Sequence, residues 1–157
     1  MKRILISGIP ASGKTTLAEY FATQGFYHVD MERDDFKAGY EYLNNRDKFL
    51  GRLAVHEDVV ISWGFVPHLY RKSVEHLLEN EYTLVWLDGD RVSSFREFMK
   101  REENDPISES RYHRQMEMII VSGIIDAFEP VIVNPFNKNG QFRPIDTIAQ
   151  EVLERLP

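Results

Sequence analysis

The sequence predicts an α/β fold: a three-layer sandwich in which a five-stranded parallel sheet is covered by helices on both faces and carries a short helical lid. Two observations carry this expectation. Five short apolar runs alternate with stretches of helical pattern along the whole chain, the arrangement that gives parallel sheets with crossover helices. A glycine-rich turn also joins the first run directly to the first helix.

Each element follows from its residues. Arg3, Ile4, Leu5 and Ile6 form an apolar run of the length of a buried parallel strand. Behind the glycine turn, residues 16–22 favour a helix, with Leu17, Tyr20 and Phe21 spaced for one apolar face. Further strands are expected at 27–30, 59–62, 83–87 and 131–134. Helices are expected at about 35–43, 48–55, 67–80, 91–102, 108–128 and 145–156. With no internal repeat, low-complexity tract or linker, the chain reads as a single domain over 1–157, its lid at about 96–115.

Composition narrows the classes. A length of 157 residues suits one domain with one substantial core. The absence of cysteine excludes disulfides, thiolate zinc sites and a cysteine nucleophile, and fits a reducing compartment. No apolar segment reaches the roughly 18 residues of a membrane span, and no signal peptide pattern opens the chain. A cytoplasmic protein without membrane contact is expected. A net charge of −6 creates no field that would gather nucleic acid. Positive charge does concentrate at Arg91, Arg96, Lys100, Arg101, Arg111, His113 and Arg114, a distribution also found on solvated helix faces.

The stretch GIPASGKT at 8–15 has the spacing G-x-x-x-x-G-K-[ST] of the Walker A loop, set between strand and helix as that loop requires. A helix start leaves N–H groups unpaired and carries about half a positive charge, so phosphate oxygens are its natural partners. Gly8 and Gly13 let the backbone approach closely, and Ala11, Ser12 and Thr16 complete the candidate cradle. Lys14 would reach the β and γ phosphates of a nucleoside triphosphate, and the Thr15 hydroxyl would ligate Mg²⁺. The expected cofactors are therefore ATP and Mg²⁺.

Phosphoryl transfer to a hydroxyl needs a carboxylate that orients the acceptor and takes its proton. VDMERDDF places Asp30, Glu32, Asp34 and Asp35 after the second strand. Asp30, at the strand end, is the first choice; Arg33 is a candidate anchor for an anionic acceptor, and Asp34 or Asp35 suits a helix cap. Charge on the moving phosphoryl group calls for a cation on a mobile segment. Arg101 is the candidate, near the polar break at Asp105 and Pro106 and ahead of Arg111 and Arg114.

These segments resemble P-loop kinases of the shikimate kinase and gluconate kinase group, with local resemblance to the kinase domain of phage-type polynucleotide kinases. VWLDGDRVSSFREFMKR is similar to the fourth strand, Leu-Asp-Gly turn and lid helix of gluconate kinase, and VVISWGFVPHLYR to its third strand and following Tyr-Arg, here Tyr70 and Arg71. GFYHVDMERDDF resembles the polynucleotide kinase segment with a catalytic aspartate followed three positions later by arginine. That pair maps either onto Asp30 with Arg33 or onto Asp34 with Lys37. The resemblance implies a P-loop NTPase fold like that of nucleoside monophosphate kinases, a lid arginine at Arg101 and a further arginine at Arg111. It also implies adenine contact near Asn134, Pro135 and Phe136.

Departures fall on the acceptor side. Trp63 stands where polynucleotide kinases carry an aspartate, and it could instead stack on an acceptor or pack in the core. The His-Pro and Asn-Ile elements of gluconate kinase are missing, and the lid is one residue shorter. The expected activity is transfer of the γ-phosphate of ATP to a hydroxyl of a small polar metabolite. A nucleotide or a polynucleotide 5′-hydroxyl is the alternative acceptor, with nucleic acid not favoured. A switch ATPase is the third reading: NKNG at Asn137 lacks the final aspartate of a guanine-reading motif, and Ser62 stands where many such ATPases keep an acid.

Overall fold

The computed structural model describes the backbone of residues 1–157 and every side chain except those of His68 and Leu69. Five strands, β1 (Arg3–Gly8), β2 (Tyr27–Asp30), β3 (Val59–Ser62), β4 (Thr83–Leu87) and β5 (Val131–Val133), form one parallel sheet in the order β2-β3-β1-β4-β5. The helices are α1 (Lys14–Thr23), α2 (Arg33–Asn44), α3 (Arg46–Leu53), α4 (Arg71–Glu79), α5 (Arg91–Arg101), α6 (Pro106–Ser122), α7 (Ile124–Phe128) and α8 (Ile145–Arg155). A 3₁₀ turn over Pro67–Tyr70 leads into α4.

Strand alternation builds two cores from one sheet. Ile4 and Ile6 of β1 face Leu17, Ala18 and Phe21 of α1 and Ile148 and Val152 of α8. Leu5, between them, faces the opposite layer with Ile61, Tyr42, Phe49, Val74 and Leu77. Both faces of β1 are therefore covered, which is why Ile4, Leu5 and Ile6 form a continuous apolar run. Each such side chain removed from water stabilises the fold by about 1.5–3 kcal/mol. A third cluster, Ile9, Trp86, Phe98, Tyr112, Met116 and Ile119, seats α5 and α6 on the sheet's end.

The topology fixes where a ligand can enter. Neighbouring strands β1 and β3 are followed by helices on opposite faces, α1 in the first core and α4 in the second. A crevice opens beyond their carboxyl ends, as at the switch point of any open α/β sheet. Gly8 closes β1 there at φ 149°, and a Cβ on it would collide with the Leu87 carbonyl of β4; only glycine lets the two strands run on together.

Two helices differ from the sequence expectation. The helix expected over 108–128 is divided by Gly123, whose φ of 61° ends α6 and starts α7. The start of α2 is not helical: Asp34, Asp35 and Phe36 all have positive φ, 53°, 54° and 63°. The Gly39 N–H donates to the Met31 carbonyl at 3.2 Å, and a Cβ there would stand 2.8 Å from that oxygen. This close approach draws the left-handed turn against the end of β2.

Candidate active site

The loop between β1 and α1 wraps through positive φ at Ala11 (54°) and Gly13 (86°). Ser12 Oγ donates to the Ile9 carbonyl at 2.7 Å, which stiffens the turn from within. Helix α1 has no side-chain cap and no acidic residue in its first turn, so its leading N–H groups and their partial positive charge remain available to an anion. Lys14 Nζ lies back over the loop, donating to Ile9 O at 2.8 Å and to Gly8 O at 3.4 Å. Burial depresses its pKa to about 8; Glu32 opposes the shift and Arg101 adds to it.

The loop forms one wall of a crevice of about 380 Å³. Gly8, Ala11, Ser12, Gly13, Lys14, Thr15 and Thr16 all line it, as do Arg101 and Arg111 from the α5–α6 hairpin. Gly64 to Val66 and Glu32 form the facing wall. The Glu32 carboxylate lies so close to Gly64 that a Cβ on that residue would come within 2.7 Å of Oε2. Arg101 rests its guanidinium 5.2 Å above the Phe98 ring, with Nε 3.6 Å from Glu102. Arg111 donates to Ser108 Oγ at 2.8 Å and stands 3.8 Å from the other Glu102 oxygen. Glu102 thus gathers both arginines at the crevice mouth. Ser94 Oγ, donating to Pro10 O at 2.5 Å and 2.9 Å from the Tyr112 hydroxyl, ties both lid helices to the loop.

The structure does not bring all the nominated residues together. Asp30 and Asp34 do not line this crevice. They border a separate one of about 370 Å³ outside β2, with His28, Arg33 and Lys37. Asp30 Oδ1 is occupied at 2.9 Å by the Glu32 N–H. Arg33 is paired at 3.3 Å with Glu19 of α1, an exposed contact, so it anchors nothing in the main crevice. Trp63 is 4% exposed and packs edge-on against Tyr42 and Phe65, with ring centroids 5.8 and 4.6 Å away. Asn134 is exposed, and its amide is taken up locally: its Oδ1 accepts from the Phe136 N–H at 3.0 Å, and its side chain stands where a Cβ of Gly89 would be.

Two groups escaped the sequence reading. Glu32 was one of four acids in a short segment, and nothing in the spacing marked it as the one that turns toward the loop. The second is an apolar cavity of about 190 Å³ behind the loop, walled by Gly13, Leu17, Leu87, Pro135, Phe142 and Ile145. Phe142 packs on Phe136 at 4.7 Å and is brought there by an isolated bridge between the two residues. Its signal in sequence was weak, a single aromatic in a polar loop.

Among the described residues no group of three or more acidic or histidine side chains is placed to cage a metal ion. Mg²⁺ needs no such cage, since it keeps waters and phosphate oxygens and takes only one or two protein groups. The Thr15 hydroxyl at the start of α1 fits that donor set.

No protein-family model and no curated protein matches the chain. Solved structures do. A gluconokinase from Sinorhizobium meliloti 1021 superposes with a TM-score of 0.58 at 19% identity, covering 99% of this chain and 91% of that one. A shikimate kinase from Bacteroides thetaiotaomicron gives 0.59 at 21% identity, with 98% and 96% covered. A deoxyadenosine kinase from M. mycoides, solved with bound dATP, gives 0.57 at 12% identity, with 98% of each chain covered. The chain has the α/β fold of the P-loop kinases of the shikimate and gluconate kinase group.

Proposed function

We propose that this protein is an ATP- and Mg²⁺-dependent kinase that transfers the γ-phosphate to a hydroxyl of a small metabolite. One observation carries the reading: an uncapped helix start with Lys14, a carboxylate at Glu32 and two arginines from a helical hairpin all line one crevice. Phosphoryl transfer asks for little covalent chemistry from a protein and much positioning and charge stabilisation, which is what this set supplies.

The loop amides and Lys14 hold the triphosphate tail. The base of the nucleotide occupies the apolar cavity between Phe142, Pro135 and the loop, a place made by residues beside Asn134 rather than by its side chain. The acceptor enters from the Gly64 side. Its hydroxyl hydrogen-bonds to Glu32, which takes the proton as the oxygen bonds to the γ-phosphorus and the bond from that phosphorus to the bridging oxygen of ADP breaks. The Thr15 hydroxyl would hold Mg²⁺, which would supply charge neutralisation at the phosphates. Arg101, swinging from its rest on Phe98, and Arg111 meet the charge that develops on the transferring group, and their closure excludes water.

A polynucleotide acceptor finds less support, because the basic residues of the hairpin are largely committed to local acids. Arg91 pairs with Asp88, Lys100 with Glu97, and Arg101 and Arg111 with Glu102. A strand of phosphates needs such cations free. The test is transfer of labelled γ-phosphate to a panel of hydroxyl compounds. Transfer that disappears in Lys14→Ala supports the reading. Failure of the wild type to bind Mg·ATP refutes it.

A further inference from the structure

Beside the crevice lies a smaller hollow of about 140 Å³, bounded by Met31, Phe36, Tyr40, Leu43, Trp63 and Tyr70. Gly39 completes its floor, and none of the residues lining it is charged. Its size is close to that of the roughly 150 Å³ apolar cavity known to take up a benzene ring. Its inner wall is one residue from the proposed chemistry: Met31 precedes Glu32, and Trp63 precedes Gly64, each separated by a single step of about 3.8 Å along the backbone.

The rim is costly to maintain. Phe36, Tyr40 and Leu43 are 50%, 66% and 40% exposed; Tyr40 and Leu43 share one face of α2, and the Phe36 ring stands edge-on to Tyr40 with centroids 6.3 Å apart. Phe36 reaches the rim from the left-handed turn at Asp34–Phe36, where each non-glycine residue costs about 1–2 kcal/mol. Strain of this kind is retained where a ligand is clamped. No cation lines the hollow itself: Arg33 lies on Glu19, Lys37 borders the outer crevice, and Arg101 and Arg111 stand at the mouth of the main crevice, where they meet phosphate in the proposed reaction.

We propose that this hollow receives a flat, uncharged aromatic ring of the acceptor, so that the phosphorylated alcohol is of the nucleoside class and not a carboxylated sugar or cyclic acid. The inference rests on the kinase reading and adds its substrate class. The ring lies between Tyr40 and Phe36 on the outside and Trp63 within, and the sugar hydroxyl extends past Met31 to Glu32. There it loses its proton to the carboxylate, bonds to the γ-phosphorus and releases ADP.

The experiment compares labelled phosphate transfer to nucleosides with transfer to sugar acids and cyclic hydroxy acids, in wild type and in the surface variants Tyr40→Ala and Phe36→Ala. Nucleosides are expected to be phosphorylated, and Tyr40→Ala to raise their KM about tenfold, the effect of losing one ring stack, with kcat and the KM for ATP unchanged. Transfer to the acids alone, transfer to no nucleoside, or a nucleoside KM indifferent to both variants overturns the inference. Calorimetric binding of Mg·ATP separates the two levels: if ATP binds, only the substrate class has failed, and if it does not, the kinase reading has failed.

Discussion

Binding of a nucleoside triphosphate to the loop is expected to take up a proton near pH 8. Lys14 has its pKa depressed to about 8, chiefly by burial. Phosphate oxygens placed beside Nζ favour the charged form and return the pKa toward or above its ordinary value. The bound state therefore holds more protons on this group than the free one, and affinity must fall as pH rises through 8. If only the ammonium form binds well, Kd scales as 1 + 10^(pH − 8), about 1.1 at pH 7 and about 11 at pH 9, a roughly tenfold weakening. Proton uptake on binding should then be about 0.1 at pH 7, 0.5 at pH 8 and 0.9 at pH 9. Calorimetry in buffers of different ionisation enthalpy measures both quantities. Lys14→Arg, whose guanidinium stays charged, is expected to abolish the uptake while retaining part of the affinity. An affinity constant between pH 7 and 9, with no proton taken up by the wild type, would refute the reasoning.

Glu32→Gln is expected to lower kcat by about 10²–10⁴ with the KM for ATP little changed, since a general base is lost and no donor contact is. Asp30→Asn should leave turnover near that of the wild type; the reverse ranking in steady-state kinetics overturns the assignment of the base to Glu32. For Arg101→Ala a fall in kcat of about 10³ or more follows from its role on the transferring charge, and an effect confined to KM would show a binding role only. Gly8→Ala forces a Cβ onto Leu87 O from a positive φ, so thermal unfolding should show a loss of ~3 kcal/mol. An unchanged Tm would mean that β1 and β4 are less tightly apposed than the structure shows.

Much of the framework was legible in the residues themselves. The run read at 3–6 was legible because both faces of the strand are buried, which leaves Ile4, Leu5 and Ile6 with no polar interruption until Ser7. The glycine loop could be read because its sharp wrap, with Gly8 against the Leu87 carbonyl and Gly13 at φ 86°, excludes a Cβ. Helix α6 was legible, and so in principle was its end, since Gly123 is the residue that adopts the left-handed cap. The turn at Asp34–Phe36 was not, because three left-handed residues with no glycine among them contradict local preference and are held by the Gly39–Met31 contact. Arg33 looked like a free anchor until α1 brought Glu19, fourteen positions earlier, beside it.

Sequence alone determined the order of strands and helices, the loop that can receive phosphate and the residue types able to carry transfer, because those properties depend on neighbours within a few positions. Only the tertiary structure decided which of four adjacent acids faces that loop, that Trp63 packs inward while the Asn134 amide is taken up by the Phe136 N–H, and that an uncharged hollow lies next to Glu32. Those outcomes depend on where distant segments meet: β2 turning past the end of β3, α2 resting its glycine on Met31, and Glu102 drawing two arginines to one mouth. A side chain's direction at the end of a strand is set by the packing around it, and that packing is not written in the spacing of the residues.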